Sequence, residues 1–448
     1  MRPIGLPLLP GMKHIFTPEG PNDFQEFIAT YFERCRAIAP EIEGIAGKWS
    51  FEDLIQGLSD FDTRFLMRDG LSAADWSRIS MAVAKVHLDL VLSRPEWSRK
   101  LEHLPGVNLT WGELFDPANY YCEFRQWTFH DGPSDRILRA REHFSPPHWQ
   151  SADAHYHWKR IALYFDRYSR TIDPPINLGA YESKYPLHSR FLHYFAPPVH
   201  SAVCLYDQHT TPGKIQAFRR AQEIFPESKT MQICLDAIGH HYETPALYEE
   251  PHLTGLETEL FGYLTEMIRQ LLERNPIPGF NGPVTPAALR QAVGNLPGAH
   301  PRRAFFENIR FARLMQGRLW FFSHSIPWFD SLPLIGVELG RIGKNFIVTP
   351  LELIARMIWG EPVGWSEVLD RLEGDAFSTS EVAALRRLHQ LADPTIGPPR
   401  FRARAAEIVT MYPDFLECLD KLQSLASPEP APSDAIPALH IDTRELAR

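Results

Sequence analysis

The sequence has few cysteines, and those it has are dispersed. Five occur among 448 residues, at Cys35, Cys122, Cys204, Cys234 and Cys418, and no two of them form a C-x-x-C pair. An odd number of scattered cysteines argues against a disulfide framework and against a structural zinc site. We therefore expect a chain that folds around an apolar core in a reducing cytoplasm.

Long apolar runs and runs of basic residues are missing as well. No apolar stretch approaches the roughly 18 residues of a membrane span, and prolines at positions 3, 7 and 10 interrupt the apolar N-terminus. No cleavage site of the A-x-A kind follows, so we expect neither a signal peptide nor a membrane partner. The net charge of -9, from 46 basic and 55 acidic residues, disfavours a nucleic acid as partner.

Several common enzyme motifs are absent. No G-x-G-x-x-G, P-loop or G-x-S-x-G motif lies between a predicted strand and a predicted helix, and the protein-kinase signature set is missing. These absences argue against dinucleotide oxidoreductases, P-loop enzymes, serine hydrolases and kinases. The composition, 44% hydrophobic and 23% charged, is that of an ordinary globular protein.

Helix and strand patterns alternate over the first third of the chain. Apolar residues recur at helical spacing over residues 24–35 and 76–90, the second run following an S-x-x-D capping pattern at Ser72 and Asp75. Period-2 or β-branched patterns predict strands in EIEGIAGKW, SDFDTRFLM, GVNLTW and YYCEFRQWTFH. This order of elements predicts a mixed domain of the α/β or α+β class.

Two aspartates stand one residue apart in SDFDTRFLM. In a strand, Asp60, Asp62 and Arg64 would share one face while Phe61 and Phe65 share the other. Two carboxylates roughly 7 Å apart repel each other when they are half buried, unless a cation lies between them. A hard divalent cation such as Mg²⁺ resolves that conflict because it prefers carboxylate oxygens.

The surrounding stretch, GKWSFEDLIQGLSDFDTRF, resembles the motif of the nucleotidyltransferase superfamily that includes polymerase beta and the antibiotic nucleotidyltransferases. That motif is a Gly-Ser turn, a short insert and S-D-x-D on a strand. Here Gly47 precedes an intact SDFD that opens at Ser59. Lys48 stands where family members place serine directly after the glycine, and Ser50 lies two residues further on.

The resemblance implies a Mg²⁺-dependent nucleotidyltransferase with two metal ions, which moves a nucleoside monophosphate from a nucleoside triphosphate, ATP or another, to a hydroxyl of a small-molecule acceptor. The catalytic and metal-binding residues it implies are Asp60 and Asp62, with Glu123 from a later strand as the third carboxylate. The nucleotide-binding candidates are Gly47, Ser50, Ser59, Arg64, Lys159 and Lys184.

The whole chain is predicted to be an α+β protein. We expect an N-terminal extension over 1–19, a nucleotidyltransferase-like mixed α/β catalytic domain over 20–148, and a large mainly helical domain over 149–424. Residues 425–448, rich in proline and small residues, are expected to be a disordered tail.

Structural explanations compete with the catalytic ones. The D-x-D-x-R strand is also explained as an exposed edge whose charges pair with one another. Glu123 is equally well explained as a strand acid paired with Arg64 or Arg125, and Lys159 and Lys184 as solvated surface lysines.

Two other functional classes stay open. The chain is alternatively a noncatalytic binding or regulatory protein that keeps the fold without the Gly-Ser turn. A histidine-metal hydrolase is the rival enzyme class, suggested by His155 and His157 and by His240, His241 and Glu243. Neither group has the H-E-x-x-H spacing that puts two ligands on one helical face.

Overall fold

The fold is described from a computed structural model of the full chain. It describes residues 23–426 except 55–58, 98–99, 102–103, 145–148, 170–186, 226–228, 230–231, 233–249, 297–300, 325–330, 394 and 396. The predicted N-terminal extension and most of the predicted tail lie outside these residues. Within them, no helix is long and apolar enough to cross a membrane.

A small mixed sheet lies in the N-terminal part of the chain. Its strands are β1 (Ile42–Gly47), β2 (Thr63–Met67), β3 (Asn108–Thr110) and β4 (Thr128–Asp131), in the order β3-β2-β1-β4. The strand β1 pairs antiparallel with β2 and with β4, whereas β2 and β3 are parallel. The parallel pair is joined by a crossover helix, as parallel neighbours require.

Helices make up most of the described residues. They are α1 (Phe24–Ile38), α2 (Ala73–Ser93), α3 (Trp111–Phe115), α4 (Ser134–His143), α5 (Ser151–Ser169), α6 (Leu187–Asp207), α7 (Lys214–Ile224), α8 (Glu250–Arg274), α9 (Pro286–Gly294), α10 (Pro301–Ile309), α11 (Met315–Ser323), α12 (Leu332–Arg341), α13 (Thr349–Ile358), α14 (Trp365–Leu372), α15 (Thr379–Leu391) and α16 (Phe401–Ala426). A π-helical turn, Ile342–Val348, joins α12 to α13. The α+β class is therefore confirmed.

Buried side chains form three clusters. One face of the sheet packs with α1 and α2, and this core continues without interruption into α10–α16. The other face packs on α3 and the segment that leads into β4. The middle helices, α5–α9, build a separate core. The C-terminal helices thus share a core with the N-terminal sheet, while the middle helices pack among themselves.

The two N-terminal helices form where the sequence predicts them. In α1 the predicted apolar face, Phe24 to Cys35, is buried. In α2 the Ser72 side chain accepts from the Asp75 backbone N–H, and the Asp75 carboxylate in turn accepts from the Ser72 backbone N–H, which completes the capping box. Both helix predictions are confirmed, because each depends on local spacing and capping alone.

Two strand predictions are wrong in detail. The strand β2 begins at Thr63, so Asp60 and Asp62 precede it instead of lying on it, and Arg64 is buried like every other residue of β2. Both faces of this strand are covered, so it has no charged face. Glu123 lies on a short 3₁₀ helix, Cys122–Gln126, and the strand starts only at Thr128.

Candidate functional site

The register of β1 and β2 brings the glycine turn next to the aspartates. Gly47, the last residue of β1, is paired with Thr63, the first residue of β2. Asp62 directly precedes Thr63 and Lys48 directly follows Gly47, so Lys48 and Asp62 lie at the same end of the β1–β2 pair. Asp60 and Asp62 are each half-buried there. Asp62 therefore lies beside the place where β1 ends, and Asp60 precedes it by two residues.

A buried network of charges connects this end of β1 and β2 to the 3₁₀ helix, Cys122–Gln126. The Arg64 guanidinium donates to Glu123 Oε1 from Nε (3.0 Å) and from Nη2 (2.9 Å), and its Nη1 lies 3.7 Å from Asp62 Oδ1. Lys48 Nζ lies 3.0 Å from Glu123 Oε2. Trp127 Nε1 donates to Glu123 Oε1 at 3.3 Å. Both carboxylate oxygens of Glu123 are thus engaged by cations.

The electrostatics of Glu123 follow from this network. Burial alone would raise the pKa of its carboxyl group, but the nearby charges of Lys48 and Arg64 outweigh burial and hold the pKa well below its ordinary value. Glu123 is therefore a buried carboxylate that balances two cations. Of the alternatives from the sequence, the pairing with Arg64 is observed, whereas Arg125 pairs with Asp153.

Three cations surround the indole ring of Trp49, which directly follows Lys48. The Nζ atom of Lys48 lies 5.4 Å from the ring centroid, Arg160 Cζ lies 5.1 Å from it, and Lys214 Nζ lies 4.8 Å from it. Arg160 is buried, and its Nη1 has no hydrogen-bond partner among the described residues. Buried guanidinium donors without partners are costly, so this group is positioned to bind an anion.

The small residues among the nucleotide-binding candidates, Gly47, Ser50 and Ser59, make contacts within the protein. A Cβ at Gly47 would lie 2.9 Å from the Phe61 ring and 3.1 Å from His130 Nε2, so only glycine fits this close approach. Ser50 donates its backbone N–H to the Pro212 carbonyl, and its buried Oγ has no partner among the described residues. Ser59 Oγ donates to the Asp53 carbonyl at 2.7 Å.

Of the two lysines predicted from the helical part, one pairs with a glutamate of another helix, and the other lies outside the described residues. Lys159, on α5, is half-exposed and pairs with Glu307, 2.8 Å between Nζ and Oε1. Lys184 lies outside the described residues. One position further along α5, Arg160 faces Trp49. Arg160 lies off the apolar face that Trp158, Ile161 and Phe165 mark, as Lys159 does, so the helical spacing does not distinguish the two and no local signal identifies the buried Arg160.

Asp53 is a structural residue that the sequence analysis missed. Its carboxylate accepts from the backbone N–H groups of Lys214 (2.7 Å) and Ile215 (3.0 Å), at the start of α7. Burial is the largest effect on its pKa, which is raised despite the Lys214 charge. Asp53 thereby ties the segment after β1 to the middle helices and brings Lys214 next to Trp49.

A cavity of about 230 Å³ lies beside this network. Its lining includes Tyr121, Glu307, Asn308 and Arg341. Tyr121 stands two residues before Glu123, so the cavity is adjacent to the 3₁₀ helix that carries the buried carboxylate. Its volume lies below the range of about 300–1,000 Å³ that is typical of pockets for drug-sized ligands.

Histidines also cluster, but not in the predicted combination. His157 on α5 lies with His200 and Cys204 on α6, and their candidate ligand atoms all lie within 4.8 Å of one another. All three residues are buried. His155 is outside this group, and His240, His241 and Glu243 lie outside the described residues. A buried cluster has no room for a substrate, so its geometry suits a structural site better than a hydrolytic one.

The comparisons with known proteins identify no family. No family model matches the chain, and neither a curated protein nor a solved structure matches it.

Proposed function

We propose that this protein is a Mg²⁺-dependent nucleotidyltransferase that transfers a nucleoside monophosphate from a nucleoside triphosphate to a hydroxyl of a small-molecule acceptor. One observation carries the proposal. Asp62, two residues after Asp60, directly precedes the β2 residue that pairs with the last residue of β1. A chain of ion pairs leads from Asp62 through Arg64 and Glu123 to Lys48, one of the cations around Trp49. Carboxylates suit a hard metal ion, and cations suit phosphates.

The donor set for Mg²⁺ consists of Asp60 and Asp62. Both offer carboxylate oxygens, and both are half-buried, so they combine charge with access to solvent. Glu123 does not fit as a third ligand, because Lys48 and Arg64 engage both of its oxygens. Bound Mg²⁺ would neutralise charge on the phosphates and stabilise the oxygens of the transfer reaction. The metal-ligand role of Glu123 stays a prediction from the sequence alone.

The triphosphate would lie on the cations around Trp49. Lys48, Arg160 and Lys214 come from three separate segments and converge on one indole ring. The unpartnered Nη1 of Arg160 supplies a hydrogen-bond donor that a phosphate oxygen would satisfy. In this proposal Arg160 and Lys214 replace Lys159 and Lys184 as the basic residues that the middle helices supply.

Glu123 and Arg64 act in this scheme as positioning residues. Glu123 holds Lys48 and Arg64 on opposite oxygens, and Arg64 in turn lies 3.7 Å from Asp62. The network therefore fixes the orientation of one metal-binding carboxylate and one phosphate-binding lysine together. The cavity beside Tyr121 is the place for the acceptor, because it lies next to this network.

A noncatalytic binding protein is the second candidate. The observation that favours it is Lys48, which stands in the position of the family's serine and is held by Glu123 at 3.0 Å. A lysine in that position is able to bind a phosphate group without any transfer reaction. Such a protein would bind a nucleotide or another phosphorylated ligand, and this binding would not depend on Mg²⁺.

The thermal stability of the full chain tests the proposal. A ligand that binds the native state raises stability, by about 2.7 kcal/mol at a hundred times its Kd. We expect the midpoint to rise with Mg²⁺ and at least one nucleoside triphosphate together. The rise should be lost in Asp60→Asn/Asp62→Asn and kept in the control Lys159→Gln. No rise with any triphosphate would contradict the nucleotidyltransferase proposal, and a rise that does not need Mg²⁺ would favour the noncatalytic candidate.

A further inference from the structure

Three metal-ligating side chains converge in the interior, and a fourth, on the 3₁₀ helix, contacts one of them. His157, His200 and Cys204 lie with their candidate ligand atoms within 4.8 Å of one another. Cys122, on the 3₁₀ helix, places its Sγ 3.4 Å from Nε2 of His157. All four residues are buried. The segments that carry them are far apart in the sequence, so the fold and not a local motif brings them together.

Two contacts in this cluster have the spacing of neighbouring ligands in a tetrahedral metal site, although Cys122 is not part of the set whose ligand atoms all lie within 4.8 Å of one another. With bonds of about 2.0–2.1 Å to nitrogen and about 2.3 Å to sulfur, neighbouring ligands of a tetrahedral zinc ion lie roughly 3.3 to 3.8 Å apart. Cys122 Sγ and His157 Nε2 are 3.4 Å apart, and Cys204 Sγ and His200 Nδ1 are 3.8 Å apart. His200 and Cys204 are four residues apart on α6, a spacing that puts both on one face of the helix.

The groups around the cluster are those that orient metal ligands. His200 Nε2 lies 2.7 Å from the Thr211 carbonyl, and both ring nitrogens lie 3.8 Å from Cys204 Sγ, so Nδ1 is the nitrogen left to bind a metal. His157 Nδ1 lies 3.1 Å from Ser201 Oγ, which leaves Nε2 directed at Cys122. Ligating histidines characteristically donate their second ring N–H to a partner of this kind.

The sulfur atoms and the apolar surroundings fit the same interpretation. The Thr211 backbone N–H donates to Cys204 Sγ at 3.3 Å, an interaction that stabilises a thiolate. Trp149 stacks on His157, and Trp49 packs edge-on against His200. Aromatic rings of this kind exclude water and hold the imidazoles in place. Two imidazoles and two thiolates together form a donor set that selects zinc.

We propose that Cys122, His157, His200 and Cys204 bind one structural Zn²⁺ ion. Binding displaces one proton from each thiol, so two protons leave for each zinc ion, and the two thiolates neutralise the charge of the metal. No position is left for a substrate, because four protein ligands complete a tetrahedral site. This inference is independent of the proposed nucleotide chemistry, since it involves none of the residues assigned to Mg²⁺ or phosphate.

The site would connect the N-terminal part of the chain to the middle helices. Cys122 directly precedes Glu123, and His157 lies one turn before Arg160 on α5. A zinc ion shared by Cys122 and His157 therefore fixes the Glu123 network relative to Arg160. This is a structural role, since zinc at this position touches neither Glu123 nor Arg160.

Metal content of the full chain, expressed without a histidine tag in zinc-supplemented medium, tests the proposal. We expect about one zinc ion per chain by elemental analysis, because the four side chains form a single closed site. X-ray absorption at the zinc edge should report two sulfur ligands at about 2.3 Å and two nitrogen ligands at about 2.0 Å. These two measurements need no variant. A wild-type chain that holds no zinc after purification and after reconstitution, or zinc with oxygen ligands only, would overturn the proposal.

Single-residue variants test which side chains bind the zinc ion. Cys204→Ser should lose stoichiometric zinc, whereas Cys418→Ser, which changes another buried cysteine away from the cluster, should keep it. Ser201→Ala removes the partner of His157 and should weaken zinc binding about 10- to 100-fold.

With Co²⁺ in place of zinc, the thiolate-to-metal charge-transfer absorption should fall by about half in Cys122→Ser, because one of two thiolates is gone. An unchanged absorption would remove Cys122 from the site, and unchanged zinc content in Cys204→Ser would refute the site altogether.

Discussion

Replacement of Glu123 by glutamine offers the sharpest test of the buried charge network. The substitution keeps the shape of the side chain but removes the negative charge between Lys48 and Arg64. These two cations lie 3.0 Å and 2.9 Å from its two carboxylate oxygens, and the Arg64 and Glu123 side chains are each 3% exposed. The variant therefore leaves a guanidinium buried with a neutral partner.

The expected magnitude follows from that burial. Removing one partner of a buried ion pair costs about 3–5 kcal/mol, because the remaining charge is uncompensated. We expect the lower part of this range, since Lys48 is partly exposed (17%) and Arg64 retains Asp62 at 3.7 Å. The free energy of unfolding, measured by urea denaturation, should fall by about 3 kcal/mol in Glu123→Gln.

A double-mutant cycle separates the two cations. Glu123→Gln/Lys48→Met should cost less than the sum of the two single variants, with a coupling energy of about 1 to 3 kcal/mol. The matched control is Lys159→Gln, which removes a half-exposed lysine and should change stability by less than about 0.5 kcal/mol. A loss below about 1 kcal/mol in Glu123→Gln would refute the interpretation that Glu123 is a buried counterion.

Other predictions concern an ion pair, a close contact and a helix cap in the N-terminal part of the chain. Nearby Arg313 outweighs burial and holds the pKa of Glu113 below its ordinary 4.5, so the pair's stabilisation is present above pH 4.5 and is lost as pH falls through the folded-state pKa. Unfolding measured against pH should show this loss in wild type but not in Glu113→Gln. Gly47→Ala should destabilise by about 1–3 kcal/mol by urea denaturation, because the new Cβ meets the Phe61 ring at 2.9 Å. Ser72→Ala should cost about 1 kcal/mol in the same assay by removing the α2 cap.

The elements that the sequence predicts correctly are those specified by local patterns. The helix α2 has apolar residues at 3,4 spacing and a capping box at Ser72, and both are read without knowledge of the fold. The start of β1 and the presence of β2 and β3 are likewise local. The α+β class follows from the order of these elements, and it needs no long-range contact.

The elements that were missed depend on contacts between distant residues. The aromatic-rich segment around Glu123 favours a strand by composition, but it forms a 3₁₀ helix in which Glu123 meets Lys48 and Arg64. The histidine and cysteine cluster is invisible as a motif, because Cys122 and His157 come from separate segments. Arg160 was not accessible from the sequence either, because it lies off the apolar face of α5 and is buried by its contact with Trp49, a residue of a distant segment.

The central claim is that Asp60 and Asp62 bind a metal ion that a nucleoside triphosphate requires. Equilibrium binding of labelled nucleoside triphosphates to the full chain, with Mg²⁺ and with a chelator, tests it most directly. The account predicts binding that depends on Mg²⁺, that is lost in Asp60→Asn/Asp62→Asn, that weakens in Arg160→Gln, and that persists in Lys159→Gln. Binding that is unchanged by the chelator and by the double aspartate variant would contradict it.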